Sequence, residues 1–213
     1  MATTWTSAFG NACGWLLNRI VRGLALTRVS PNVLTFIGLC INLVAAYIFG
    51  HANVTNAGRM FFYAGLVIIG AGLFDMVDGR VARNTNQVTV FGAFFDSVID
   101  RYSDVVLFFG ILVYYARINH FRYVVLTAFV MVTSLMVSYT RARAEALIGQ
   151  CKVGFMERPE RIVLVILGAL GYHFGVMAPV LWVLAILSTL TVVHRISYTY
   201  QNTKHLPRTV DSQ

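Results

Sequence analysis

Charge is scarce in this sequence. Only 12% of its 213 residues are Asp, Glu, Lys or Arg, against about 25% in an ordinary soluble domain. With 57% of the residues apolar, one soluble core of this size could not enclose them. Acids are scarcer still, 9 against 17 Lys and Arg, for a net charge of +8. Cysteine is nearly absent: Cys13, Cys40 and Cys151 are scattered, with no CxxC pair and no zinc spacing, so free thiols are expected. The five histidines have no ligand partner at helical spacing. No nucleic-acid reader motif is present, so nucleic acid is not the expected partner of the positive charge. The first 25 residues lack the continuous apolar run and small-residue site of a cleavable signal, and none is expected.

What is present is a series of long apolar segments. A membrane-crossing helix needs about 20 apolar residues, and six candidates are found at about 33–50, 60–82, 89–116, 121–146, 160–175 and 179–199. Ser30-Pro31-Asn32 reads as the start of the first. Ahead of it, Trp5, Phe9, Trp15, Leu16, Ile20 and Val21 recur as one helical face, with Asn11, Asn18, Arg19 and Arg22 elsewhere. This predicts an amphipathic helix lying on the membrane surface. The expected fold is therefore an all-α integral membrane protein with one domain over 1–213. It comprises an interfacial helix over 1–29 and six transmembrane helices over 33–200. With a cytoplasmic N-terminus, fourteen of the basic residues fall on one side and only Arg59, Arg117 and Arg122 on the other. The positive-inside rule then predicts a multi-pass plasma-membrane protein with both termini cytoplasmic. Spans two and three meet at a short cytoplasmic turn, 84–87.

The few acids are concentrated. Asp75, Asp78, Asp96, Asp100 and Asp104 are five of the nine and all lie in or at the end of apolar spans. Carboxylates placed there cost several kcal/mol unless paired or bound to cations, so their default reading is functional. Asp75 and Asp78 are three apart and Asp96 and Asp100 four apart, so each pair shares a helix face. A short turn brings the two pairs together near the cytoplasmic end. Four hard oxygen donors in one place suit Mg²⁺, Mn²⁺ or Ca²⁺. Gly79, Ala82 and Gly92 leave room for another helix or a nucleotide, and Arg83 is placed to pair with a phosphate or a motif Asp. Asp104, last of the acidic stripe, is expected to pair with Arg101 or to stand behind the metal ligands.

The segment Asp75-Met76-Val77-Asp78-Gly79-Arg80-Val81-Ala82-Arg83, eight further residues, then Gly92-Ala93-Phe94-Phe95-Asp96-Ser97-Val98-Ile99-Asp100 meets all eight fixed positions of D-x2-D-G-x2-A-R-x8-G-x3-D-x3-D. This resembles the signature of the CDP-alcohol phosphotransferase family, whose members have six transmembrane helices and are commonly homodimers. The resemblance implies that Asp75, Asp78, Asp96 and Asp100 hold two divalent cations, Mg²⁺ or Mn²⁺. It also implies that Asp100, beside Asp96, acts as base toward an acceptor hydroxyl, and that a CDP-lipid such as CDP-diacylglycerol is the donor. Asp78, Gly79, Ala82 and Arg83 would bind the CDP-lipid, the last three lining the CMP part, with Asn32 and Thr35 near the nucleotide phosphates.

Basic residues bear on the acceptor. Ser138-Tyr139-Thr140-Arg141-Ala142-Arg143-Ala144-Glu145 ends the fourth span, Glu157-Arg158-Pro159-Glu160-Arg161 opens the fifth, and Arg195 closes the sixth. Arg141, Arg161 and Arg195 suit a phosphomonoester; Arg143 and Arg158 are equally readable as flanking charge. These segments resemble those of one branch, the prokaryotic phosphatidylinositol-phosphate synthases, which implies inositol 1-phosphate as acceptor, its phosphate held by Ser138, Arg141, Arg161 and Arg195. Glycerol 3-phosphate, the acceptor of phosphatidylglycerophosphate synthases, would suit the same charge. A divalent-cation transporter built on the acidic stripe is the alternative of another class; it predicts metal flux and no CMP release.

Overall fold

The computed structural model of the chain describes residues 30–84 and 89–204, with backbone alone at 31 and 76–84. The interfacial helix expected over 1–29 lies outside the described residues, as does most of the turn expected over 84–87. Every regular element described is helical. Helix α1 spans Pro31–His51, α2 Ala57–Asn84, α3 Val90–Arg117, α4 Phe121–Ile148, α5 Arg158–Leu170 and α6 Met177–Thr203, with a 3₁₀ turn at Tyr172–Phe174.

Local chemistry sets several of these ends. Ser30 is extended and Pro31 takes the first helical position of α1, where its missing N–H costs nothing. At α3 the hydroxyl of Thr89 accepts from the backbone N–H of Gly92 at 2.9 Å, relieving one unpaired donor of the first turn. Glu160 Oε2 accepts from the backbone N–H of Glu157 at 3.0 Å at the start of α5, one half of a capping box. Gly149, at φ +78°, ends α4.

Four described segments are long and apolar enough to cross a membrane: Asn32–His51, Ala57–Asp75, Phe121–Ile148 and Met177–Thr203. Helix α3 has the length but carries Asp96, Asp100, Arg101 and Asp104. The fifth expected span, 160–175, is interrupted. Helix α5 has 13 residues, about 20 Å at 1.5 Å per residue, and gives way at Gly171 to the 3₁₀ turn. A Cβ on Gly171 would fall 2.8 Å from Val176 Cγ2 and 3.0 Å from Leu167 O, so a glycine permits this tight reversal.

The helices close into a ring in which α2, α1, α3, α4, α6 and α5 follow one another and α5 returns to α2. Phe49, Phe61, Ile68, Leu107, Ile111, Leu181 and Leu184 are buried inside. Phe36, Tyr47, Phe109, Phe129, Trp182 and Ile186 are more than half exposed or nearly so on the outside, an apolar outer face that a lipid environment covers. Contact between α1 and α3 is at backbone level. A Cβ on Gly110 would lie 2.5 Å from Ala46 O and 2.7 Å from its Cα, so only glycine permits this approach. Asn32 against Gly92 and Gly50 against Val113 extend the same alignment, which makes α1 and α3 parallel.

Candidate active site

Asp75, near the end of the described side chains of α2, faces Asp96 and Asp100 of α3. One carboxylate oxygen from each lies within 4.8 Å of the others. A hard cation among them could take an oxygen from each at the roughly 2.0–2.6 Å of magnesium or calcium coordination. The donor set is all oxygen and half-exposed, with Asp75 the most open, so it fits the divalent cation that the spacing suggested. The side chains of Asp78, Gly79, Ala82 and Arg83 fall outside those described; their backbone continues α2.

One positive group already stands in this cluster. Arg158, from the first turn of α5, places Nη1 2.8 Å from Asp100 Oδ1 and 3.1 Å from Asp75 Oδ2, with Nε 3.7 Å from Asp104 Oδ1. This residue was readable as flanking charge or as part of a phosphate site. It does something else, linking α5 to both acid-bearing helices.

Asp104 corrects an expectation. Its partner is Arg161, with Nη2 at 2.5 Å from Asp104 Oδ2 and the two side chains 1% and 4% exposed. Arg101 instead bonds the carbonyl and hydroxyl of Ser97 on its own helix. A pair on one helix three residues apart was the local solution; α5, packed on α2 and α6, instead reaches Asp104 with the long side chain of Arg161 and offers it a fully buried cation.

Two cavities open on either side of this junction. The first, about 400 Å³, is lined by Thr35 and Asn42 of α1, Ile68 of α2, Ser103 of α3 and Ile166 of α5, with Asp75, Asp100 and Arg158 at its polar end. The second, about 190 Å³, is lined by Ser138, Arg141, Glu157, Arg161 and Arg195, together with Asp104. Asp100, Arg158 and Pro159 belong to both, so the wall between them is one carboxylate and the first turn of α5. Asn32, at the start of α1, stands against Gly92; Thr35 is buried and lines the first cavity.

All four residues expected to hold an acceptor phosphate therefore line one cavity, but their bonding differs. Arg195 is spoken for at every nitrogen: Nε donates to Val153 O at 2.8 Å, Nη1 to Val137 O at 2.5 Å and Nη2 to Glu157 Oε1 at 3.3 Å. Arg141 donates to Glu145 and Glu157 at 2.9 and 3.0 Å. Arg161 is 1% exposed, and its Nε and Nη1 have no hydrogen-bond partner among the described residues. Buried donors left open in this way mark a place where something else supplies the acceptor. Sequence reasoning missed Glu157, whose Oε1 accepts from both Arg141 and Arg195; no spacing rule links residues on three elements.

The loop 149–157 that carries Glu157 is fastened to α6. Thr191 Oγ1 accepts from the N–H groups of Phe155 and Met156 at 3.1 and 3.0 Å. Gly154 sits at φ +132°, where a Cβ would come 2.6 Å from Thr191 Cγ2.

Comparison with known proteins assigns the chain to a family. The sequence profile of the CDP-alcohol phosphatidyltransferase family matches residues 28–196. The chain is 39% identical over 182 residues to archaetidylinositol phosphate synthase of Pyrococcus horikoshii, covering 84% of this chain and 88% of that one. It is 37% identical over 186 residues to phosphatidylinositol phosphate synthase of Mycobacterium tuberculosis (strain H37Rv), covering 83% and 82%. Among solved structures it resembles the Mycobacterium tuberculosis phosphatidylinositol phosphate synthase with CDP-DAG bound, at 32% identity and a TM-score of 0.76 over 92% of this chain and 98% of that one. The same enzyme in complex with manganese and citrate gives a TM-score of 0.79, covering 92% and 93%.

Proposed function

Since this chain belongs to the CDP-alcohol phosphatidyltransferase family, we propose that it transfers a phosphatidyl group from CDP-diacylglycerol to inositol 1-phosphate, releasing CMP. The observation that carries the acceptor is Arg161: a buried guanidinium with two open donors, lining a small charged cavity that shares Asp100 with the larger, mostly apolar one. A lipid-linked donor suits the larger cavity, and a small phosphorylated alcohol suits the smaller.

In this reading Asp75, Asp78, Asp96 and Asp100 hold two divalent cations, Mg²⁺ or Mn²⁺. The cations, when bound, neutralise the donor pyrophosphate and stabilise charge on the entering and leaving oxygens. Asn32, Thr35, Gly79, Ala82 and Arg83 hold the CDP part. Arg161, with Ser138, Arg141 and Arg195, orients the acceptor phosphate, and its geometry presents the acceptor hydroxyl to Asp100. Asp100 takes the hydroxyl proton as the oxygen attacks the lipid-side β-phosphorus. The bond from that phosphorus to the bridging oxygen breaks, and CMP leaves. The bundle crosses the plasma membrane six times as a homodimer, with the active site and both termini cytoplasmic.

The test is CMP release from CDP-diacylglycerol with inositol 1-phosphate, glycerol 3-phosphate, free inositol and serine offered in turn. A kcat/KM for inositol 1-phosphate well above the rest is expected. Preference for glycerol 3-phosphate would move the chain to the phosphatidylglycerophosphate branch, and metal flux into vesicles with no CMP release would replace the transferase reading altogether.

A further inference from the structure

Glu157 lines the smaller cavity and has no part in the reaction proposed above. Its Oε1 accepts from Arg141 Nη1 at 3.0 Å and from Arg195 Nη2 at 3.3 Å. Arg141 comes from α4, Arg195 from α6, and Glu157 is the residue just ahead of α5, so three elements converge on one oxygen. Two guanidinium groups meeting on one oxygen offer what a phosphate oxygen seeks. The chain fills this anion point with its own carboxylate. Arg161 lines the same cavity but keeps Nε and Nη1 without a hydrogen-bond partner among the described residues. The cavity therefore has two anion points, one filled from within and one open. Its volume of about 190 Å³ keeps both within reach of one small polyol.

The charge count points the same way. Five arginines and three carboxylates line the cavity, a surplus of two positive charges. A phosphomonoester carries roughly −1.5 to −2 at pH 7, so one such group closes the balance and a second exceeds it. Glu157 is also well anchored at its backbone. Its N–H donates to Glu160 Oε2 at 3.0 Å, and Thr191 Oγ1 accepts from Phe155 and Met156 just before it. The side chain is 43% exposed, so its two arginines, rather than packing, keep the carboxylate in the cavity.

We infer that Glu157 determines specificity: by occupying Arg141 and Arg195 it restricts the cavity to acceptors with a single phosphate group and excludes polyol bisphosphates. This rests on the transferase reading above. A monophosphate takes the open donors of Arg161, and Arg141 and Arg195 orient it by their charge while they stay bonded to Glu157. A second phosphate must either displace the carboxylate from both arginines or stand beside it, like charge against like.

Glu145 supplies the control. It pairs with the same Arg141 at 2.9 Å but lies outside the cavity lining, so neutralising it removes equal charge without opening the filled point. The experiment follows incorporation of labelled inositol 1-phosphate into lipid from CDP-diacylglycerol by the full-length protein in detergent with saturating magnesium. Inositol 1,4-bisphosphate is added as the competing ligand. In the wild type its Ki should lie about tenfold or more above the KM for inositol 1-phosphate, as expected when two charge-assisted hydrogen bonds must be broken. Glu157→Gln keeps the size of the side chain and should lower the ratio of Ki to KM by about tenfold. Glu145→Gln should leave that ratio within about twofold of the wild type. A bisphosphate that competes as well as the monophosphate binds in the wild type overturns the inference without any substitution. So does a Glu157→Gln protein with the wild-type ratio, or a Glu145→Gln protein whose ratio falls as far, since bulk charge would then account for the effect. Absence of lipid product from inositol 1-phosphate removes the transferase reading and this inference with it, whereas product formed with an unchanged ratio sinks the inference alone.

Discussion

The two cavities that meet at Asp100 are built on opposite principles. The larger draws its wall from α1, α2, α3 and α5 and is apolar except at one end. The smaller, less than half its volume, draws on α3, α4, α5 and α6 and is lined by arginines and carboxylates. In the first, charge is spent on one cluster of acids within reach of a cation. In the second, most of the charge is spent internally: Glu157 occupies Arg141 and Arg195, and Asp104 occupies one end of Arg161. The lesson is that a basic cavity is not uniformly a binding surface. Of the three arginines expected to hold the phosphate, Arg161 alone keeps buried nitrogens without a partner among the described residues, while Arg195 holds the loop and α4 in place.

The comparison can be broken first at the acids. Asp100→Asn should lower kcat by on the order of 10³-fold or more while the protein remains monodisperse in detergent; near-normal turnover would end the metal-site reading. Next, Asp104→Ala leaves Arg161 charged and unpaired in the bundle. A loss of about 3–5 kcal/mol is expected, seen as a marked fall in thermal midpoint in detergent. The double substitution Asp104→Leu with Arg161→Leu should recover much of that loss without restoring activity. Arg161→Ala separates the cavities: the KM for the acceptor should rise about 10- to 100-fold, as for one charge-assisted hydrogen-bonded contact, with the KM for CDP-lipid changed little. Equal effects on both would dissolve the division. The smallest effect is expected of Gly154→Ala. It strains the loop at a positive φ and crowds Thr191, costing about 1–3 kcal/mol and showing first in thermal stability.

Much of the acid cluster was legible because it obeys rules internal to a helix. The four-residue spacing of Asp96 and Asp100 fixes a shared face, and the short connection expected after α2 sets them beside Asp75. Ser30-Pro31 likewise announced α1. What the sequence hid lies between helices far apart in the chain. Asp104 and Arg161 are separated by 57 positions, and nothing in the local pattern favours that pairing over Arg101. Arg158 was readable as flanking charge or as part of a phosphate site because its role depends on α5 packing against α2, and α5 itself was expected to run on to 175. Its stop at Leu170 follows from the close approach at Gly171, a contact with Val176 that apolar run lengths do not register.

The backbone contact at Gly110 and Ala46 has a consequence for how such a chain can change over time. Two helices locked at that point share a single register, and one extra residue in either would swing every side chain that it separates from the lock by about 100°. An insertion between Thr35 and Ala46 would thus turn Thr35 off the larger cavity while sparing Asp96 and Asp100, whereas one between Asp100 and Gly110 would do the reverse. Length changes should be tolerated in the connections and refused within these two rods.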